Sequence, residues 1–441
     1  MSEQRKAHYH TFGCKLNFAE TATVARLFEE HGIRTADTRA GETPDIVVVN
    51  TCSVTEEADR KCRRAIRSFH KRWPGAAILV TGCYAQLKAA EAASLPGVAV
   101  VAGTNGKLDL LRYLESYDSS AGTAAVTDAP EAKGLTAFMP SCSRGDRTRY
   151  FLKVQDGCDY WCSYCTIPIA RGRSRSGSID QLVALAEGVA AEGGKEIVLT
   201  GVNIGDFGKG RADSFFDLVK ALDAVDGIER YRISSIEPNL LTDEIIDYTA
   251  RSRRFMPHFH VPLQSGSDAV LSLMRRRYDT AFFRRKIERI REAMPDSFIG
   301  VDLMVGARGE TADEFLASKA FVESIDLSHL HVFPYSERPG TRALTLEAEV
   351  VAQDEKHRRA AQMIAVSAAK HAAFASRFLG TVRPVLLEHR AKGRRMAGFT
   401  DNYLRVEVDA HPLLDNKVVN VRLDSLQADG ETLNGTIITE L

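Results

Sequence analysis

The stretch Lys153-Val-Gln-Asp-Gly-Cys158-Asp-Tyr-Trp-Cys162-Ser-Tyr-Cys165-Thr-Ile-Pro168 decides how the rest of this chain is read. It overlaps Tyr150–Val154, a run that reads as a strand, and sets three cysteines in a C-x3-C-x2-C spacing just beyond. Three thiolates within one turning loop can grip three corners of a cubane iron–sulfur cluster, leaving the fourth iron open to another ligand. A zinc knuckle wants four ligands, commonly in paired C-x2-C units, and no second pair or nearby His completes one here. Ligands handed from a strand to the loop after it suit a parallel α/β fold, whose active residues gather at strand carboxyl ends.

Upstream, residues 5–118 alternate strand and helix. Ala7–Phe12, Asp45–Asn50, Ala76–Thr81 and Val98–Ala102 read as strands, with Phe18–His31, Thr55–Arg72, Gln86–Ala93 and Gly106–Tyr117 as helices. That order predicts a parallel sheet covered on both faces. Cys14, Cys52 and Cys83 follow the first three strands, so all three fall at one sheet edge, where the ligand sites of such folds lie. A second three-thiolate site is expected there. The plainer alternative is that buried cysteines pack well in such cores. Cys62, inside a helix pattern, and Cys142, in a polar stretch, enter neither site.

Small, polar and turn-forming residues mark 119–145 as a connector. Alternation resumes over 146–375, with strands at Tyr150–Gln155, Glu196–Thr200, Arg230–Ser234, His258–Pro262, Phe298–Met304 and His329–Phe333. Their ends carry Asn203, Ser235, Glu237 and Gln264, polar groups suited to a small polar ligand, although Ser267 and Asp268 beside them are also good helix caps. Gly306-Ala-Arg-Gly309-Glu310-Thr311 reads as a structural turn and cap. From 376 to 441 the pattern becomes short strands with turns, predicting a small barrel of about five strands.

The cysteine spacing at Cys158, Cys162 and Cys165 strongly resembles that of the radical S-adenosylmethionine (SAM) superfamily. Thr11-Phe-Gly-Cys14-Lys-Leu-Asn17, Asn50-Thr-Cys52-Ser-Val-Thr55 and Thr81-Gly-Cys83-Tyr-Ala-Gln86 resemble the signature pieces of the methylthiotransferase N-terminal domain. The tail, with Gly398-Phe-Thr-Asp-Asn-Tyr403, resembles a TRAM RNA-binding module. The resemblance covers essentially the whole chain. It implies an N-terminal methylthiotransferase domain, an open (βα)6 partial barrel and a β-barrel tail. It implies two 4Fe-4S clusters, one on each cysteine set, with SAM held by the open iron of the cluster on Cys158, Cys162 and Cys165. Tyr164 resembles the aromatic position flanking the adenine, and Asn203, Ser235, Glu237 and Gln264 are candidate SAM contacts. At Gly201-Val-Asn203 many relatives carry Gly-Gly-Glu, which leaves the contact to the methionyl amine open. One SAM would be used for methylation and another for a 5'-deoxyadenosyl radical, joining a methylthio group to a substrate carbon.

Phe12–Thr21, Val54–Lys61 and His331–Thr341 look most like the branch acting at C2 of N6-threonylcarbamoyladenosine beside the tRNA anticodon. Alternatives are N6-isopentenyladenosine in tRNA, a ribosomal-protein aspartate, or a non-catalytic iron–sulfur RNA-binding protein. The expected partners are a tRNA anticodon stem-loop and an electron donor of flavodoxin or ferredoxin type, with the protein a monomer.

Composition is consistent with such an enzyme. The 441 residues suggest two to four domains, with 44% apolar and 26% charged residues, as in soluble globular proteins. No window approaches the roughly 18 apolar residues of a membrane span, and Met1-Ser-Glu-Gln-Arg-Lys has no apolar signal core. A cytoplasmic protein with reduced cysteines is expected. Zero formal net charge argues against a globally basic coat and does not exclude a local basic face. Candidate RNA contacts are Arg171, Arg173 and Arg175 after the cysteine loop, and Arg390, Lys392, Arg394 and Arg395 near Phe399 and Tyr403. Two further basic clusters, Arg60 to Arg72 and Arg275 to Arg285, read as solvated faces.

Overall fold

In the computed structural model, residues 4–117, 125–143 and 148–438 are described. The first unit is a parallel sheet ordered β2-β1-β3-β4-β5-β6. Its strands are β1 (Lys6–Thr11), β2 (Arg34–Thr35), β3 (Ile46–Thr51), β4 (Ala77–Gly82), β5 (Val98–Ala102) and β6 (Val126–Asp128). Every residue of β3, Ile-Val-Val-Val-Asn-Thr, is buried, as a central strand covered on both faces must be. The helices α1 (Lys15–Glu30) and α2 (Glu56–Arg72) start directly beyond β1 and β3, and α3 (Cys83–Leu87) beyond β4. The expected connector thus contributes an outer strand: β6 pairs with β5. Part of it, 119–124 and 144–145, lies outside the described residues.

The second unit begins with β7 (Ser141–Cys142), antiparallel to β8 (Arg149–Lys153). A short antiparallel pair, β9 (Gln155–Asp156) with β10 (Arg175–Ser176), brackets the cysteine loop. Then β11 (Glu196–Thr200), β12 (Arg230–Ile233), β13 (His258–His260), β14 (Phe298–Val305) and β15 (His329–Pro334) follow, with helices between them. The parallel runs β8-β11-β12 and β13-β14-β15 are stitched by bridges Tyr231 to Phe255 and Ser235 to His260. The result is an open half-barrel of six parallel strands over one continuous apolar core. The Gly306–Thr311 turn is structural: Glu310 accepts from the Gly306 amide at 2.8 Å and Thr311 caps the next helix.

The tail closes on itself in the order β16-β17-β18-β20-β19, from β16 (Val382–Lys392), β17 (Arg395–Thr400), β18 (Arg405–Asp409), β19 (Val418–Leu426) and β20 (Thr432–Ile437). A closed barrel leaves no edge strand unpaired. It docks on the half-barrel through Arg230, whose guanidinium donates to Phe399 and Pro384 carbonyls, and Arg232, which donates to those of Thr400 and Asp401. No helix among the described residues is long and apolar enough to cross a membrane.

Candidate active site

The loop after β8 folds back on itself, with the Cys158 amide bonded to the Gly172 carbonyl and the Cys165 amide to that of Cys162. Each thiol receives a donor: the Tyr160 amide at 3.4 Å on Cys158, the Ile167 amide at 3.5 Å on Cys165, and Arg276 Nη1 at 3.1 Å on Cys162. Burial pushes the Cys158 and Cys165 thiols up to about 12 and raises Cys162 as well. Free thiolates there would be costly, whereas iron at each sulfur would displace the proton and offset that cost.

These three cysteines line a cavity of about 470 Å³, within the range of small-molecule sites. Tyr164, Asn203, Ser235, Glu237 and Gln264 line the same cavity. Among the described residues, both amide atoms of Asn203, Gln264 Oε1 and the Tyr335 hydroxyl are buried without a partner. Buried polar groups are normally paired, so a polar ligand is what these groups lack. Gln264 also holds φ at +68, a strained value for a non-glycine residue and one that tends to mark functional sites. The donor set suits SAM: polar atoms around the cavity, an aromatic ring at Tyr164, and a thiol triad that leaves an iron open.

Arg276 was not legible as a site residue. It sits in the run Arg275-Arg276-Arg277, where its neighbours are exposed and its own side chain is 3% exposed. Besides Cys162 it bonds the Glu237 carboxylate, Tyr164 and Tyr278.

The second set of thiols meets at the carboxyl edge of the first sheet. Gly13 has φ +92, and a Cβ there would stand 2.9 Å from Cys52 Cβ, so only glycine lets the two loops close up. Gly82, at φ +96, likewise lies where a Cβ would strike the Thr51 carbonyl at 2.4 Å, which draws Cys83 beside Cys52. Asn17 Nδ2 ties the loops by donating to the Phe12 and Thr51 carbonyls at 2.8 and 3.1 Å. Burial raises Cys83 and pushes Cys52 up to about 12, with Cys83 and Cys14 near enough to add to the shift of Cys52. Among the described residues, no three His, Cys, Asp or Glu side chains converge as they would on a single metal ion.

The two sites share a wall. Val54 and Thr55, two and three residues past Cys52, line the cavity of the first triad. Arg338, 2% exposed, clamps that loop by donating to Ser53 Oγ at 2.8 Å and Asp59 Oδ2 at 2.7 Å.

Arg171 corrects an expectation. It does not face an entering substrate but is 1% exposed, because its guanidinium is consumed by carboxylates. It bonds Glu20 Oε1 at 3.1 Å, Asp156 Oδ1 at 3.0 Å and Asn17 Oδ1 at 2.6 Å, and also reaches the Cys83 sulfur. Lys107 and Lys153 complete this buried cluster on Glu20. Burial alone would raise the Glu20 carboxyl, but Arg171, Lys107 and Lys153 hold it well below the usual carboxylate range. Asp156 is held low in the same way by Lys153, Arg171 and Arg175.

Arg175 is likewise engaged, with Asp156 and the Ala137, Arg171 and Arg173 carbonyls, while Arg173 is exposed. In the tail Arg394 is exposed and Arg395 is tied to Asp409 and the Glu407 carbonyl. The side chains of Arg390 and Lys392 lie outside the described residues. Phe399 and Tyr403 turn inward: the Arg149 guanidinium sits 4.1 Å from the Phe399 ring, and Tyr403 packs on His258 at 4.2 Å.

Comparison with known proteins accords with this geometry. Residues 6–103 match a family described as uncharacterized protein family UPF0004, and residues 152–322 match the radical SAM superfamily. The chain is 37% identical to the threonylcarbamoyladenosine tRNA methylthiotransferase MtaB of Bacillus subtilis, over 94% of this chain and 93% of that one. It is 35% identical to the protein of the same name from Thermotoga maritima, over 95% and 94%. A tRNA-2-methylthio-N(6)-dimethylallyladenosine synthase of Sphingopyxis alaskensis is 33% identical over 95% of each chain. In fold, the chain is similar to the radical S-adenosylmethionine methyltransferase TsrM of Kitasatospora setae, with a TM-score of 0.57 over 77% of each chain at 16% identity.

Proposed function

The chain belongs to the radical SAM methylthiotransferase family, and from that premise we infer that it methylthiolates C2 of N6-threonylcarbamoyladenosine in tRNA. The observation that carries this reading is the shared wall: the Cys52 loop lines the cavity that holds the other thiol triad. Radical generation and sulfur delivery could then act on one substrate atom. A non-catalytic iron–sulfur protein would have no use for the polar groups around that cavity.

When bound, two 4Fe-4S clusters and SAM supply the 5'-deoxyadenosyl radical and the sulfur, chemistry that no side chain can replace. The chain's own groups hold and orient. Cys158, Cys162 and Cys165 hold one cluster, and Cys14, Cys52 and Cys83 the other. Asn203, Ser235, Glu237 and Gln264 receive the polar groups of SAM, and Tyr164 flanks its adenine. Arg276 fixes Glu237 while donating to Cys162. Arg338 and the Glu20–Arg171 cluster lock the two domains in register, so the distance between the two thiol sets is set by buried ion pairs.

The substrate branch has its own support. A threonylcarbamoyl group carries a carboxylate and a hydroxyl, whereas an isopentenyl group is hydrocarbon. The half-barrel carries a polar group of side chains: His260 Nε2 lies 3.0 Å from Asp302 Oδ1, with the His331 ring 5.2 Å from that of His260. Helix α1 packs Phe18 and Ala19 on Phe151 and Val198, bringing Lys15 near enough to act electrostatically on Asp302 and His331. Lys15 is the group we assign to the substrate carboxylate. A low-potential electron donor of flavodoxin or ferredoxin type and a monomeric state complete the proposal.

The test is a reconstitution. Protein with both clusters, a reductant, SAM and tRNA bearing threonylcarbamoyladenosine should yield 5'-deoxyadenosine, methionine and methylthiolated nucleoside together. SAM cleavage without methylthiolated nucleoside on this tRNA, or product on isopentenyladenosine tRNA alone, would overturn the reading.

A further inference from the structure

The basic run Arg60 to Arg72 lies on α2, and the helix sorts it. Asp59, Cys62 and Ile66 face the core, while Arg60, Arg64, Arg67 and Lys71 are exposed. Those four positions stand at i, i+4, i+7 and i+11, so they form one stripe on the side opposite the core. The helix keeps its acids, Glu56, Glu57 and Asp59, in the first turn, and no acid occurs from Arg60 to Arg72. Lys61 lies 3.9 Å from Glu57, and Arg60 also pairs with it. Arg64, Arg67 and Lys71 have no ion-pair partner among the described residues. Like charges three and four residues apart repel, so this face is better satisfied by an external polyanion than by water alone.

Its placement says which one. Thr55 caps α2 by accepting from the Ala58 amide at 3.1 Å, and the same residue lines the active-site cavity. The Glu56 amide donates to Ser336 Oγ at 3.3 Å, anchoring this end to the half-barrel. From that cavity-lining cap the 17-residue helix extends for about 25 Å.

We propose that the outward face of α2 is a docking surface for the tRNA backbone, with Arg64, Arg67 and Lys71 neutralising phosphates of the stem whose loop delivers the target base to the cavity. This rests on the function proposed above. A rigid cationic stripe on a helix whose cap lines the cavity fits a helical stem, which displays phosphates along its length. An acidic electron-transfer protein must instead approach the thiol triads closely, and a stripe drawn out along α2 does not serve it.

The test uses the full chain with both clusters reconstituted and a fluorescein-labelled anticodon stem-loop RNA, measuring anisotropy across a salt series. The triple variant Arg64→Ala, Arg67→Ala, Lys71→Ala should bind about tenfold or more weakly at low salt. Its plot of log K against log salt should be shallower by about two units, since each lost phosphate contact removes about 0.7 to 0.9. The variant Arg64→Lys, Arg67→Lys, with Lys71 kept, should restore both. Cleavage of SAM with a chemical reductant should be unchanged, which shows the variant folded. Equal affinity and slope in variant and wild type would overturn the proposal. So would unchanged RNA binding with slowed reduction by flavodoxin, which would assign the face to the electron donor. Failure of the wild-type protein to bind any tRNA would instead strike the function itself.

Discussion

Arg276 Nη1 stands 3.1 Å from the sulfur of Cys162, a shielded cation facing one member of the thiol triad, while its other nitrogens hold Glu237 and Tyr278. A positive charge at that distance favours the more reduced, more negative state of whatever the sulfurs bind.

Arg276→Gln is therefore expected to lower the midpoint potential of the cluster on Cys158, Cys162 and Cys165. The loss of a charge-assisted hydrogen bond of about 1.5–3 kcal/mol should also slow SAM cleavage roughly 10- to 100-fold. Electron paramagnetic resonance potentiometry checks the first, and 5'-deoxyadenosine release the second. An unchanged potential would show that Arg276 only positions Glu237.

The two thiol sets should separate genetically. Cys162→Ala is expected to abolish SAM cleavage. Cys52→Ala should leave cleavage intact and abolish methylthiolated product. Product from Cys52→Ala would contradict the role given to the second set.

The Glu20 cluster predicts a pH signature. Glu20 and Asp156 are held below their ordinary values, so their ionised forms stabilise the fold above about pH 4.5. That contribution fades as pH falls through the ordinary carboxylate range and below it. Glu20→Gln leaves buried Lys107, Lys153 and Arg171 short of a counter-charge, and should cost about 3–5 kcal/mol near pH 7. Calorimetry should find the gap in melting temperature between wild type and variant narrowing as the pH is lowered towards about 3. A gap independent of pH would contradict it.

Lys15→Ala removes the cation assigned to the substrate carboxylate. kcat/KM for threonylcarbamoyladenosine tRNA should fall roughly tenfold or more, while cleavage of SAM in the absence of tRNA stays at the wild-type rate. Equal losses in both reactions would place Lys15 in the SAM site instead.

Periodicity and strand-end logic made the two α/β units and the closed barrel readable, because these depend on local pattern and on topology, whereas the two cysteine sets were read from spacing and from family resemblance. What sequence hid is burial of charge. Arg171 and Arg276 each sit among other arginines, and nothing in the order of residues says that one turns inward to a carboxylate while its neighbours face water. Glu20, Lys107 and Arg338 were invisible for the same reason: their partners lie far away in the chain. Phe399 and Tyr403 resemble bases' stacking partners by type, yet Arg149 and His258 on the half-barrel claim them.

The central claim is that both triads act on one nucleoside. Mass spectrometry of tRNA nucleosides, from cells lacking this activity and with or without the gene supplied, tests it most directly. The account predicts methylthio-threonylcarbamoyladenosine only when the gene is present. Methylthio-isopentenyladenosine in its place would contradict the substrate, and no methylthiolated nucleoside, with both clusters filled, would contradict the reaction on tRNA.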